Sequence, residues 1–92
     1  MTEKSIGQRI QEIIKQLRKD KPDLDCDQPF NVCLFPQQEH RDRGFLRTCN
    51  DLEKSLEQLF AWQNLEPSWF GEILYYGQAT GITKVVYKVS PT

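Results

Sequence analysis

Isoleucine and leucine open the chain at helical spacing. Ile6, Ile10, Ile13, Ile14 and Leu17 recur at intervals of four, three, one and three, one face of a 3.6-residue period. Ser5 with Gln8 has the form of a capping box, and Arg18, Lys19 and Lys21 place cations where they suit the helix dipole. Pro22 disfavours helical backbone at Lys21, so the pattern predicts a helix over 5–19. An acidic connector follows at 20–29, with Asp20, Asp23, Asp25 and Asp27 between prolines 22 and 29. Phe30, Val32 and Leu34 then alternate with Asn31, Cys33 and Phe35, which reads as a strand over 30–35 that Pro36 ends.

After the polar stretch Gln37 to Arg43 the pattern supports two readings. Phe45, Cys49, Leu52, Leu56, Leu59 and Leu65 lie near a helical stripe that would begin around Asp42. Alternatively Gly44 to Thr48 is a short strand paired back onto 30–35, and Asn50 with Glu53 caps a helix over 51–64. The second is preferred, because its start signal is the better formed. Glu66-Pro67-Ser68 stops that helix. Residues 69–76 and 82–89, rich in aromatic and β-branched side chains, read as a hairpin joined by five residues bounded by Gly77 and Gly81. Strict alternation puts Val85, Tyr87 and Val89 on one face of the last strand and Lys84, Val86 and Lys88 on the other. The order α-β-(β)-α-β-β predicts an α+β fold, an antiparallel sheet of three or four strands with two helices packed on one face. All 92 residues are expected to form one domain.

Composition adds limits. With 38% apolar and 27% charged residues the chain is in the globular range. A net charge of −1 supplies no field for a polyanion or an anionic membrane. Locally the charge is uneven, net +3 over 3–21 and net −4 over 51–72, as expected of two helices with solvated outer faces. The polar start lacks the apolar centre of a secretory signal, and no apolar run is long enough to span a bilayer. Three cysteines, an odd number, predict free thiols and a reducing, cytoplasmic location.

Four residue sets carry candidate chemistry. Cys26, Cys33, His40 and Cys49 match the ligand count of a structural zinc site, but their separations of seven, seven and nine lack the close pairs of a zinc knuckle. His40 would also have to be the base of any thiol nucleophile, and no nucleophile motif accompanies it. Asp23-x-Asp25-x-Asp27 opens like a calcium loop, but Gln28 and Leu34 occupy the places of the required glycine and glutamate. Arg41, Arg43, Arg47, Lys84 and Lys88, with the hairpin aromatics, form the alternative of a single-stranded nucleic-acid platform.

Catalysis and a cofactor are therefore not expected. Trp62, Trp69, Phe70, Tyr75 and Tyr76 fall within fifteen residues, and aromatic side chains of this kind dominate protein interfaces. Trp69, Phe70, Tyr75 and Tyr76 are the partner-binding candidates. The expectation is a small interaction or regulatory module, with a homodimer as one outcome if the hairpin leaves an edge strand open.

Overall fold

The isoleucine stripe of the N-terminal segment forms α1 (Ile6–Asp20) in the computed structural model, which describes residues 5–77 and 82–90. Its capping box is present. The Gln8 N–H donates to Ser5 Oγ at 3.2 Å, and the Ser5 N–H donates to Gln8 Oε1 at 3.1 Å. Four strands follow: β1 (Phe30–Phe35), β2 (Phe45–Cys49), β3 (Phe70–Gly77) and β4 (Ile82–Val89). A second helix, α2 (Leu52–Leu65), separates β2 from β3, and a 3-10 turn (Arg41–Arg43) precedes β2. The sheet order is β2-β1-β3-β4, antiparallel throughout, so the α+β class and the four-stranded outcome both stand. The connection bounded by Gly77 and Gly81 lies outside the described residues.

Helix α2 starts one residue later than its sequence signal. The cap is Asp51, whose Oδ1 accepts from the Lys54 N–H at 2.8 Å. Its inner face, Leu52, Leu56, Leu59 and Phe60, meets Ile10 and Ile14 of α1, Phe30, Val32 and Leu34 of β1, Ile73 of β3 and Val86 of β4. Burying an aliphatic side chain of this size contributes roughly 1.5–3 kcal/mol, so this layer between helices and sheet holds the fold together.

One irregularity redirects β4. Ile73 stands opposite Tyr87, but Leu74 stands opposite Val85, so Val86 is an extra residue in a bulge and turns into the core. Strict alternation fails there. Val85 is exposed, and Lys84 and Lys88 do not share a face: Lys84 is across from Tyr75 on the helix side, Lys88 across from Glu72 on the other.

The sheet face away from the helices carries Asn31, Cys33 and Phe35 of β1, Leu46 and Thr48 of β2, and Phe70, Glu72, Leu74 and Tyr76 of β3. Part of it is covered by the β1–β2 connection. Gly44 approaches so closely that a Cβ there would lie 2.5 Å from the Leu34 carbonyl oxygen and 2.7 Å from Phe35 Cβ. Phe35 is buried beneath this segment, stacked on Phe70 with ring centroids 6.0 Å apart.

Candidate functional site

The outer edge of β2 and the end of α2 build a groove on the helix side. Phe45 and Arg47 stand opposite Leu34 and Val32, so both point to the helix side at the margin of the sheet. Trp62 and Leu65 are on the last turn of α2, whose C-terminal carbonyl at Trp62 accepts the Glu66 N–H at 2.9 Å. The chain then turns through Pro67, and the Trp69 N–H donates back to the Glu66 carbonyl at 3.0 Å. Gln63 fixes this corner, its Nε2 donating to the Trp69 carbonyl at 2.5 Å. The Trp69 ring is thereby laid against Phe45, nearly parallel at 14°, with centroids 5.9 Å apart. Arg47 lies over the Trp62 ring at 5.0 Å, and its Nη1 donates to Gln58 Oε1 at 2.5 Å. Leu34, Phe45, Arg47, Trp62, Leu65, Glu66 and Trp69 line this open groove of about 310 Å³. Large apolar groups stand open around it: Phe45 is 63% exposed, Leu65 75%, and Leu46, on the opposite face of the same strand, 66%.

Comparison with protein-family models, characterised proteins and solved structures finds no match.

A second cluster occupies the other sheet face. Glu72 is only 1% exposed. Arg41 reaches across from the 3-10 turn and donates to both carboxylate oxygens, at 2.6 Å to Oε1, while Lys88 Nζ lies 3.6 Å from Oε1. Cys33 neighbours Glu72 across the β1–β3 ladder. Burial and the Glu72 charge push its thiol pKa up, and Arg41 opposes them. Burial likewise raises the Cys49 thiol, against a hydrogen bond with Ser55 that lowers it. Neither thiol is tuned toward the nucleophilic thiolate, which needs a depressed pKa.

The four aromatic candidates do not form one patch. Trp69 and Tyr75 point to the helix side, where both pack on the core, and Tyr75 lies against Phe30 at 5.3 Å. Phe70 and Tyr76 point to the other side, where Tyr76 is exposed. Of the five candidate cations, Arg41 is taken up by Glu72 and Arg47 by Trp62 and Gln58, while Lys84 and Lys88 are divided by the bulge. Arg43 lies exposed in the 3-10 turn. They make no common platform.

The alternative metal set is also divided. Cys49 pairs with Phe30 on the core side, whereas Cys33 pairs with Leu46 on the opposite face, so the sheet stands between the two thiols. Among the described residues no three His, Cys, Asp or Glu side chains are grouped to hold an ion. His40 closes a turn onto Gln37, its N–H donating to that carbonyl at 2.9 Å. Asp25, in the calcium-like run, accepts from the Asp27 N–H at 3.0 Å and the Gln28 side chain at 3.1 Å. It stabilises its own turn.

Sequence reasoning did not single out Phe45, Leu46 and Leu65, nor the Arg41–Glu72 pair. Phe45-Leu46 held a usable signal. Adjacent apolar residues in a strand point to opposite faces, so in a two-layer fold one of them lies outside the core.

Proposed function

We propose that the protein is a small, non-catalytic interaction module that binds another polypeptide along the β2 edge, with the partner's side chains entering the Phe45–Trp62–Leu65–Trp69 groove. The observation that carries this reading is the contrast between the two margins of the sheet. Natural sheets guard open edges with bulges and lysines. The β4 margin has both, the Val86 bulge with Lys84 and Lys88 on either side of it. The β2 margin is regular over five residues and carries Phe45 on one face and Leu46 on the other. Its one cation, Arg47, is drawn onto Trp62. Such a strand suits β-addition, in which main-chain hydrogen bonds supply affinity and pockets for alternate side chains supply selectivity.

A benzophenone-bearing amino acid substituted for Leu65 tests the reading, since that side chain stands at the groove mouth. Irradiation in cell extract is expected to give polypeptide adducts that are lost when Phe45→Lys is added. Adducts no more abundant than those from the same group at Lys19, on the exposed face of α1, would remove this function.

A further inference from the structure

We infer that the polypeptide taken by the β2 edge is a second copy of this chain, joined antiparallel, β2 to β2, about a two-fold axis through Leu46. The inference rests on the β2-edge reading and adds the identity of the partner. Its first support is the charge of the site. Arg47 and Glu66 are the two charged residues lining the groove, one of each sign, so the site selects for neither an anionic nor a cationic ligand. A two-fold contact needs a patch complementary to itself, and a neutral patch with one cation and one anion meets that condition.

The second support is register. Antiparallel pairing of β2 with its copy keeps Phe45 and Arg47 on the helix side and Leu46 and Thr48 on the other, because residues directly opposite share a face. With Leu46 on the axis, the two Leu46 side chains meet on the outer face. Phe45 of each copy then stands opposite Arg47 of the other, which brings a cation to an aromatic ring already stacked on Trp69 and to the groove that Glu66 lines. Moving the axis to Arg47 would set two guanidinium groups opposite each other, and like charges so placed are destabilising. Moving it to Thr48 would leave Phe45 beyond the paired residues. Moving it to Phe45 would leave Leu46 and Arg47 opposite positions 44 and 43, outside β2, whereas the Leu46 register pairs Phe45–Arg47 wholly within the strand.

The third support is closure. The product is one eight-stranded sheet with four helices on one face, and its outer margins are both β4, where Lys84, Lys88 and the Val86 bulge discourage another strand. Growth stops at two chains.

Sedimentation equilibrium of the wild-type chain over about 1–100 µM is expected to give twice the chain mass. Phe45→Lys and Leu46→Lys should each return it to the single-chain mass with an unchanged far-ultraviolet circular dichroism spectrum. With Cys33, which faces position 46 across the β1–β2 ladder, replaced by Ser in every chain compared, mild oxidation of Leu46→Cys should give a covalent dimer. Thr48→Cys, exposed on the same face but about 13 Å from its own copy in this register, should yield at least about tenfold less, with the oxidised Cys33→Ser chain as the blank. A single-chain mass across the whole range overturns the inference. So does a dimer in which the two cysteine variants cross-link equally. Benzophenone adducts from position 65 to other polypeptides, found with a monomeric chain, would leave the β2 groove as an interface and remove only the self-pairing. A single-chain mass together with absence of any adduct would remove both.

Discussion

Glu72 places a carboxylate on the sheet face away from the helices, where it is withdrawn from water, so its neighbours decide what it does. Arg41 engages both oxygens and Lys88 stands nearby, and a charged group so buried is tolerable only with such partners. Removing a partner from a buried ion pair commonly costs several kcal/mol. Here Arg41 is 59% exposed, water can take its place, and the cost is discounted accordingly. Arg41→Ala is expected to lower unfolding free energy by about 1–2 kcal/mol in urea. Arg41→Ala combined with Glu72→Gln should lose less than the sum of the single variants. Additive losses would show that the pair is not coupled. The same cluster sets the state of Cys33. Its thiol is raised by burial first and by Glu72 second, so Glu72→Gln should lower the pH midpoint for alkylation of Cys33, read by peptide mass spectrometry. An unmoved midpoint would leave burial alone responsible. Because the Cys33 and Cys49 pKa values are both raised, the folded chain holds those protons more tightly than the unfolded chain. Stability complete at neutral pH therefore falls as pH climbs past the ordinary thiol value of about 8.5. None of this was legible in the sequence, since Glu72 sits inside an aromatic run and its partner is 31 positions away.

At the scale of elements, local chemistry was readable where one residue type settles it and unreadable where tertiary packing does. The Ser5–Gln8 box, the α1 stripe and the stop at Pro22 needed nothing beyond neighbouring residues, and α1 and β1 formed within one residue of their expected limits. At the start of α2 the capping pattern pointed to Asn50, but the carboxylate of the next residue, Asp51, took the cap. Asp51→Ala should therefore cost about 1 kcal/mol in urea unfolding, whereas Asn50→Ala should cost only a few tenths. The reverse order would assign the cap to Asn50. The Val86 bulge escaped for a different reason. Val85, Val86 and Tyr87 are all acceptable on a core face, so alternation contains no mark of where the extra residue lies. Gly44 is a further case, its need for a missing side chain arising only when β2 folds back over Leu34 and Phe35. Gly44→Ala must push backbone as well as side chain, and a loss of about 1–3 kcal/mol is expected, measured by thermal and urea unfolding.

For the whole molecule the decisive feature is that its two sheet margins are built differently, and this joins the fold to the proposed function. The fold class followed from the order of the elements. The site did not, because the aromatics of 62–76, of which only Tyr76 is exposed, divide between two faces, and only Trp62 and Trp69 reach the groove that β2 completes. Neither tryptophan is a clean probe of binding. Both pack on the core as well as lining the groove, so shortening either one disturbs folding and docking together. The edge residues avoid that ambiguity, and thermal unfolding of the chain at several concentrations exploits it. If folded chains pair and unfolded chains do not, mass action stabilises the fold as concentration rises. Well above the dissociation constant, each tenfold increase adds about 1.4 kcal/mol per dimer, or about 0.7 kcal/mol per chain. For a domain of this size that raises the melting temperature by about 3–5 °C per decade of concentration. Leu46→Lys, which substitutes a side chain 66% exposed in the single chain, should flatten that dependence. At the lowest concentrations, where both are monomers, it should leave the melting temperature close to that of wild type. A wild-type melting temperature independent of concentration would mean that folding and pairing are not linked, and that Phe45, Leu46 and Leu65 are exposed for some other polypeptide.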